Sequence, residues 1–118
     1  MGESGRFENL LVWQKSMDLV VEIYRVTESF PRTEVYGLIS QMRWSAVSIP
    51  SNIAEGSKRG SRKDYQHFLL ISYGSGAELE TQLEIARRIG FIGQIEFAEI
   101  RTLLNEVLRM LQSMISKF

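Results

Sequence analysis

The feature that most constrains this chain is the spacing of its apolar residues between positions 38 and 53. They recur at steps of three and four residues, which is the spacing of one face of an α-helix. The pattern predicts an amphipathic helix that runs as far as Gly56 and buries this face in a core. The residues that form the row are Leu38, Met42, Ala46, Ile49 and Ile53.

A second face of the same helix carries polar side chains of an unusual kind. Solvated helix faces are rich in Lys, Glu and Arg, whereas four of the five residues in this row are uncharged. A comparable row, with Ser75, Glu78 and Gln82, lies on the predicted third helix. We expect Asn52 and Glu55 to meet Ser75, Glu78 and Gln82 in one hydrogen-bond network, within a subunit or between subunits, and two separately solvated faces are the alternative. The row on the second helix consists of Gln41, Ser45, Ser48, Asn52 and Glu55.

Pro50 lies inside this predicted helix. A proline in a helix interior removes a backbone donor and crowds the carbonyl four residues earlier, at a cost of about 3 kcal/mol. The helix therefore either kinks at Pro50 and continues, or ends there and gives way to a loop. The apolar row continues to Ile53 and Gly56 is suited to a left-handed cap, so the kinked helix is favoured.

Three further segments have the same helical spacing. We predict that the first helix runs from about Asn9 to Ser29, because the residue before Pro31 is disfavoured in a helix. The fourth helix is predicted from about Gln94 to Ser116. The first helix is expected to bury a row formed by Trp13, Met17, Val20, Tyr24 and Thr27.

Capping residues mark the start of the second and third helices. Thr33 is the predicted cap of the second helix, which would begin at Glu34. Ser61, followed three residues later by Asp64, has the spacing of a capping arrangement that opens the third helix. A break near Gly74 is the alternative to one long third helix.

Four helices of about 20 residues, joined by short loops, predict an all-α fold. The expected arrangement is an antiparallel up-down-up-down four-helix bundle. A chain of 118 residues is the size of one domain. We assign residues 9–118 to a single bundle domain, preceded by a flexible N-terminal segment at residues 1–8.

Composition disfavours most enzyme classes. The chain has no cysteine and one histidine, so it lacks a thiol nucleophile, a disulfide and the ligands of a usual zinc site. Carboxylates at Glu55, Glu78 and Glu80 are accompanied by no nucleophile or phosphate loop. We predict a non-enzymatic protein without a cofactor.

Charge and hydropathy indicate which partners and which cellular location to expect. Fourteen basic and fourteen acidic residues cancel, which argues against a strongly cationic nucleic-acid binder but allows a local basic patch. Neither a signal peptide nor an apolar run of about 18 residues is evident, so we expect a cytoplasmic protein that does not enter a membrane.

One dense basic cluster lies in the loop before the third helix, and we call it the basic loop. It consists of Lys58, Arg59, Arg62 and Lys63. Amides at the start of a helix add a favourable field for an anion, so the basic loop is a candidate site for nucleic-acid phosphates. A solvated loop without a ligand is the alternative.

Several motifs resemble a known family. The segments are Leu11 to Lys15, Phe30-Pro31 with residues 34–38, Ser40 to Arg43, Ser48 to Gly56 and, on the third helix, Gly74-Ser75 with residues 78–82. Together they resemble the four-helix-bundle family encoded in intervening sequences of bacterial 23S rRNA genes. The likeness spans residues 10–118.

The resemblance implies a homopentameric ring. It also implies kinship with the accessory protein of diversity-generating retroelements, which binds nucleic acid and a reverse transcriptase, so RNA or DNA and a reverse transcriptase are candidate partners. A ring that serves only protein assembly is the alternative function. The aromatic residues Trp44 and Tyr36, if exposed, are typical anchors of such an interface.

Overall fold

The computed structural model of the protein describes residues 6–118, and within this range it contains helices and no strand. The four long helices are α1 (Leu11–Thr27), α2 (Leu38–Ser57), α3 (Arg62–Arg88) and α4 (Gln94–Ile115). Two short 3-10 turns, Phe7–Asn9 and Arg32–Glu34, precede α1 and α2. The predicted all-α class is confirmed. Of the predicted flexible segment, residues 1–5 lie outside the described residues, and the ring of Phe7 packs edge-on against Trp13, with ring centroids 5.4 Å apart.

The helices pack around one core. α1 contacts α2 and α4, and α3 contacts the same two helices, which gives a body measuring 46 × 25 × 24 Å. Each helix contributes apolar side chains that are removed from solvent. The largest of these are Leu19, Ile23, Met42, Ile49, Ile53, Leu69, Leu79, Leu83, Ile100, Leu104 and Leu111.

Helix α2 continues through Pro50 to Ser57, so the alternative in which Pro50 ends the helix is wrong. The predicted apolar row of α2 is buried throughout. Gly56 is not a left-handed cap, however, because the only glycine with positive φ in the described part of the chain is Gly90, at 83°. Gly56 instead lies where α3 comes close: a Cβ added there would be 2.8 Å from the Cβ of Phe68.

The start of α2 also differs from the prediction. The helix begins at Leu38 and not at Glu34, since residues 32–34 form a 3-10 turn after Pro31. Thr33 is therefore not its cap. The side chain of Glu34 folds forward, and its Oε1 accepts a hydrogen bond of 3.1 Å from the amide of Leu38. This bond satisfies one of the free amides of the first turn of α2.

The buried face of α1 is rotated from the predicted one. Its core residues are Val12, Leu19, Ile23 and Val26, together with Ser16. Of the predicted row only Thr27 is buried; Trp13 and Val20 are half-buried, and Met17 and Tyr24 are exposed. The Oγ of Ser16 donates to the carbonyl of Trp13 at 2.8 Å, which lets a polar residue occupy the core face.

Helix α3 is continuous as predicted, so the alternative of a break near Gly74 is wrong. Ser61 caps its first turn as predicted, and its Oγ accepts from the amide of Asp64 at 3.1 Å. Gly76 is buried against Leu108 on α4, whereas a Cβ at Gly74 would have no atom of residues 6–118 within 4 Å.

Candidate functional site

The centre of the predicted polar network joins α2 to α3 within one chain. The hydroxyl groups of Ser48 and Ser75 are 2.8 Å apart. The side-chain amide of Asn52 donates to the carbonyl of Ser48 at 2.8 Å and to its Oγ at 2.9 Å. Beside this set, the buried Oγ of Ser72 donates to the carbonyl of Ile49 at 2.9 Å, a contact that the sequence analysis did not foresee.

The other members of the two polar rows are not joined to this centre in the described part of the chain. Gln41 and Glu78 are exposed, and Ser45 is buried. Glu55 is exposed and accepts from the guanidinium of Arg59 at 2.7 Å. The Oε1 of Gln82 is buried and has no hydrogen-bond partner among residues 6–118.

The basic loop lies at the end of the bundle where Phe7 and Phe118 are also found. The Nζ of Lys58 is 5.7 Å from the ring centroid of Phe7, and the guanidinium of Arg62 is 5.4 Å from that of Phe118. Arg62 also donates to the carbonyl of Lys117 at 3.2 Å. All four cations are exposed, so an anion can approach them from solvent.

The four cations of the basic loop differ in how far they are neutralised. Arg59 pairs with Glu55, and its guanidinium lies 4.8 Å from the ring centroid of Phe68. Neither Lys58 nor Lys63 forms an ion pair with a residue between 6 and 118. The amide of Asp64 is already bonded to Ser61, so it does not add to the field for an anion. The two lysines are therefore the strongest candidates for phosphate contacts.

A groove runs along the outer face of α2 and reaches α1, and we call it the outer seam. Its larger hollow, of about 730 Å³, lies between Tyr24 and Trp44. A second hollow of about 360 Å³ lies between Met17 and Pro50 and shares Val47 with the first. The lining of each hollow consists mainly of apolar or small side chains.

The aromatic residues beside the outer seam are open to solvent. Trp44 is 80% exposed and Tyr36 is 98% exposed, as an interface role would require. Val47, Met17 and Tyr24 are exposed as well. Large apolar side chains left open in one contiguous area are typical of a protein interaction surface. Both aromatic residues can be identified in the sequence, whereas the groove that Trp44 lines is formed only where α2 packs against α1.

Arg43 is held in a fixed position at the outer seam. Its guanidinium stacks 4.4 Å from the ring centroid of Tyr24. It also donates from Nε to the Oγ1 of Thr27 at 2.9 Å and from Nη2 to the carbonyl of Tyr24 at 3.2 Å. Nη2 of Arg43 also forms an ion pair with Oε2 of the exposed Glu28, at a distance of 3.5 Å. A cation fixed in this way loses little further side-chain freedom when it binds an anion.

Carboxylates on α3 are mostly engaged by arginines. Hydrogen bonds from Arg87, and then from Arg88, lower the pKa of Glu84 to about 2, so its charge is retained at neutral pH. Glu80 pairs with Arg101 on α4. Among residues 6–118 no group of three or more acidic or histidine side chains is placed to hold a metal ion. Glu80 and Glu84 are thus both engaged in ion pairs.

Between residues 6 and 118, no helix combines the length and apolarity that crossing a bilayer needs.

The fold and these surfaces define a small four-helix protein with an apolar seam on one side and a basic loop at one end. The chain belongs to the 23S rRNA-intervening sequence protein family, whose model matches residues 8–113. The resemblance noted in the sequence is thereby confirmed.

A solved structure from Bacteroides thetaiotaomicron is similar to this chain. It is described as a protein with unknown function from the S23 ribosomal protein family. The two are 27% identical and superimpose with a TM-score of 0.81, over 89% of this chain and 98% of that chain. None of the curated proteins matches the sequence. Neither the family nor this relative indicates a catalytic activity.

Proposed function

We propose that this protein is a non-enzymatic assembly protein that associates with copies of itself into a ring. The observation that carries the proposal is the outer seam, where Trp44 stands 80% exposed beside an apolar groove. Burial of apolar surface contributes about 25 cal/mol per Å², so covering this area favours association. A tryptophan at the centre of such a surface is a typical anchor of a protein interface.

The proposed subunit is an antiparallel up-down-up-down bundle, and the ring is a pentamer, as the family resemblance implies. Ion pairs between α1 and α4 support the antiparallel order. Lys15 pairs with Glu106 at 3.1 Å and Arg25 with Glu96 at 3.2 Å, so the partners rise along one helix and fall along the other. The cytoplasmic location and a bacterial source remain predictions of the sequence.

Trp44→Lys is expected to convert the assembly to monomers at micromolar concentration. Loss of an interface anchor of this type costs about 2–4 kcal/mol, and the lysine adds a charge to an apolar contact. Light scattering after size-exclusion chromatography measures the mass, and circular dichroism checks that the helices remain. Ile95→Lys is the matched control, because Ile95 on α4 is similarly exposed, at 75%, but lies away from the seam. A parent protein of monomer mass would contradict the proposal, as would an unchanged mass for Trp44→Lys.

A second candidate function is binding of nucleic-acid phosphates by the basic loop. Exposed Lys58 and Lys63, without an acidic partner in the described residues, are the observation that favours it. In a ring the loop would be repeated once per subunit, and repeated weak sites raise the overall affinity. A reverse transcriptase that carries the nucleic acid is the protein partner consistent with this function.

Lys58→Gln with Lys63→Gln is expected to flatten the dependence of RNA or DNA affinity on salt. Each phosphate contact contributes about one unit to the slope of log affinity against log salt, so the slope should fall by about two. Filter binding across a salt series gives the slope. The control replaces Arg32 and Arg109 by Gln, two exposed cations elsewhere on the bundle. Absence of binding by the parent at low salt, or an equal loss of slope in the control, would count against the basic loop.

A further inference from the structure

Arg43 of α2 lines the outer seam, and Glu78 is an exposed acid in the interior of α3, so the two surfaces carry opposite charges. We propose that the α3 surface of one copy docks into the outer seam of a second copy, so that Glu78 of the first copy faces Arg43 of the second. The α3 surface consists of Ile71, Glu78 and Ile85, and we call it the α3 ridge. This docking rests on the self-assembly proposed above and names the two surfaces that meet.

The outer seam is prepared for an acidic partner. Between Leu38 and Ser57 the only charged residues are Arg43 and Glu55. Glu55 is paired with Arg59, whereas Arg43 is held against Tyr24 and, among residues 6–118, forms one ion pair, with the exposed Glu28 at 3.5 Å. A carboxylate entering the seam would therefore meet a positioned guanidinium. The apolar surface around it would be covered at the same time.

The α3 ridge has the complementary composition. Its three residues are seven positions apart, which puts them on one line along the helix. Ile71 and Ile85 are exposed although they are large and apolar. Glu78 lies between them and is exposed too. The ridge thus offers one acid flanked by apolar side chains, which matches one cation flanked by an apolar groove.

Charge along α3 singles out Glu78. Residues 68–86 contain three glutamates and no lysine or arginine. Glu80 pairs with Arg101, and Glu84 pairs with Arg87 and Arg88. Glu78 forms no ion pair or hydrogen bond with any residue between 6 and 118. It is therefore the carboxylate of this segment that is available to a second copy.

Shape favours this contact over one between two seams. The seam is concave and the ridge is a single convex helix face, so each surface fits the other better than itself. Two seams placed face to face would bring two copies of Arg43 together, and like charges oppose association. Contact between unlike surfaces adds copies head to tail, and it closes into a ring when the rotation between neighbours allows. Helix α2 contacts both α1 and α3, so seam and ridge lie on neighbouring sides of the bundle and successive copies turn.

Charge reversal tests the docking directly. We expect Glu78→Arg to raise the dissociation concentration of the assembly by more than about tenfold, because it places two cations at the contact. Arg43→Glu should raise the dissociation concentration by a similar factor. Analytical ultracentrifugation over a concentration series measures both. Glu99→Arg and Arg109→Glu on α4 make the same changes of charge at exposed sites outside the two surfaces and should leave the mass unchanged.

Recovery of the assembly by a double charge reversal is the decisive test. The double variant, Arg43→Glu with Glu78→Arg, should recover the parent mass, and an equal mixture of the two single variants should form mixed assemblies. Glu78 is exposed, so Glu78→Arg is expected to fold even if Arg43→Glu loses helix content. An unchanged mass for Glu78→Arg, or no recovery in a folded double variant, would overturn the docking. If Trp44→Lys still dissociates the assembly in that case, self-assembly stands and only the docking fails, whereas a monomeric parent removes both.

Discussion

Leu104→Ala is expected to lower the free energy of unfolding by about 2–5 kcal/mol. Leu104 lies on α4 and has no exposed surface. The substitution removes three buried carbon atoms and leaves a cavity that the rigid helices around it fill only in part. Urea unfolding followed by circular dichroism measures the change. Protein concentration is held fixed, because association of the folded form shifts the midpoint.

Ile95→Ala is the control for this measurement. It removes apolar atoms from the same helix, but Ile95 is 75% exposed, so its truncation creates no cavity. We expect a change within about 0.5 kcal/mol. Equal losses for the two variants would mean that Leu104 does not occupy the core and that the packing described here is wrong.

The number and order of the helices could be predicted because each apolar face repeats along the chain. Helices α3 and α4 begin within a residue of their predicted starts, and the cap of α3 was visible as Ser61 followed by Asp64. Local patterns of this kind are decided by residues close in sequence. They do not depend on which other helix is nearby.

The face of α1 could not be predicted in the same way. The helix carries two neighbouring apolar rows. The buried row contains Ser16, whereas the other row contains the half-buried Trp13 and the exposed Tyr24. A polar residue in one row and aromatic residues in the other favoured the wrong choice. Ser16 is accommodated by a bond to its own helix, and the second apolar row is used to form the outer seam.

The candidate sites differ in how far sequence alone reveals them. The basic loop is contiguous in the chain, so its charge is visible without a structure. Arg43 gains its position from Tyr24 and Thr27 on α1, and no local pattern relates residues 16 to 19 positions apart. Asn52 and Glu55 were expected to meet Ser75, Glu78 and Gln82, but the bond that joins the two helices is the one between Ser48 and Ser75. Asn52 bonds to Ser48, whereas Glu55 bonds to Arg59 in the loop after α2.

Replacing either of two glycines by alanine is expected to change the free energy of unfolding, but with opposite signs at the two sites. Gly56→Ala is expected to lower the free energy of unfolding by about 1–3 kcal/mol, because its methyl group would meet atoms that cannot rotate away. A Cβ at Gly56 lies 2.8 Å from the Cβ of Phe68 and 3.3 Å from the carbonyl of Tyr65, so α2 and α3 must separate. Gly56 lies in the last turn of α2, where a gain in helix propensity offsets little.

Gly74→Ala is the opposite case. It lies in the interior of α3, and no atom in the described part of the chain lies within 4 Å of a Cβ at that position. Alanine then gives the helix about 1 kcal/mol without a steric cost, so the free energy of unfolding should rise. Both variants are compared by urea unfolding at one protein concentration. A stabilised Gly56→Ala would show that the close approach of α2 and α3 at Phe68 is not a constraint on the fold, because the same methyl group would then be accepted at both sites.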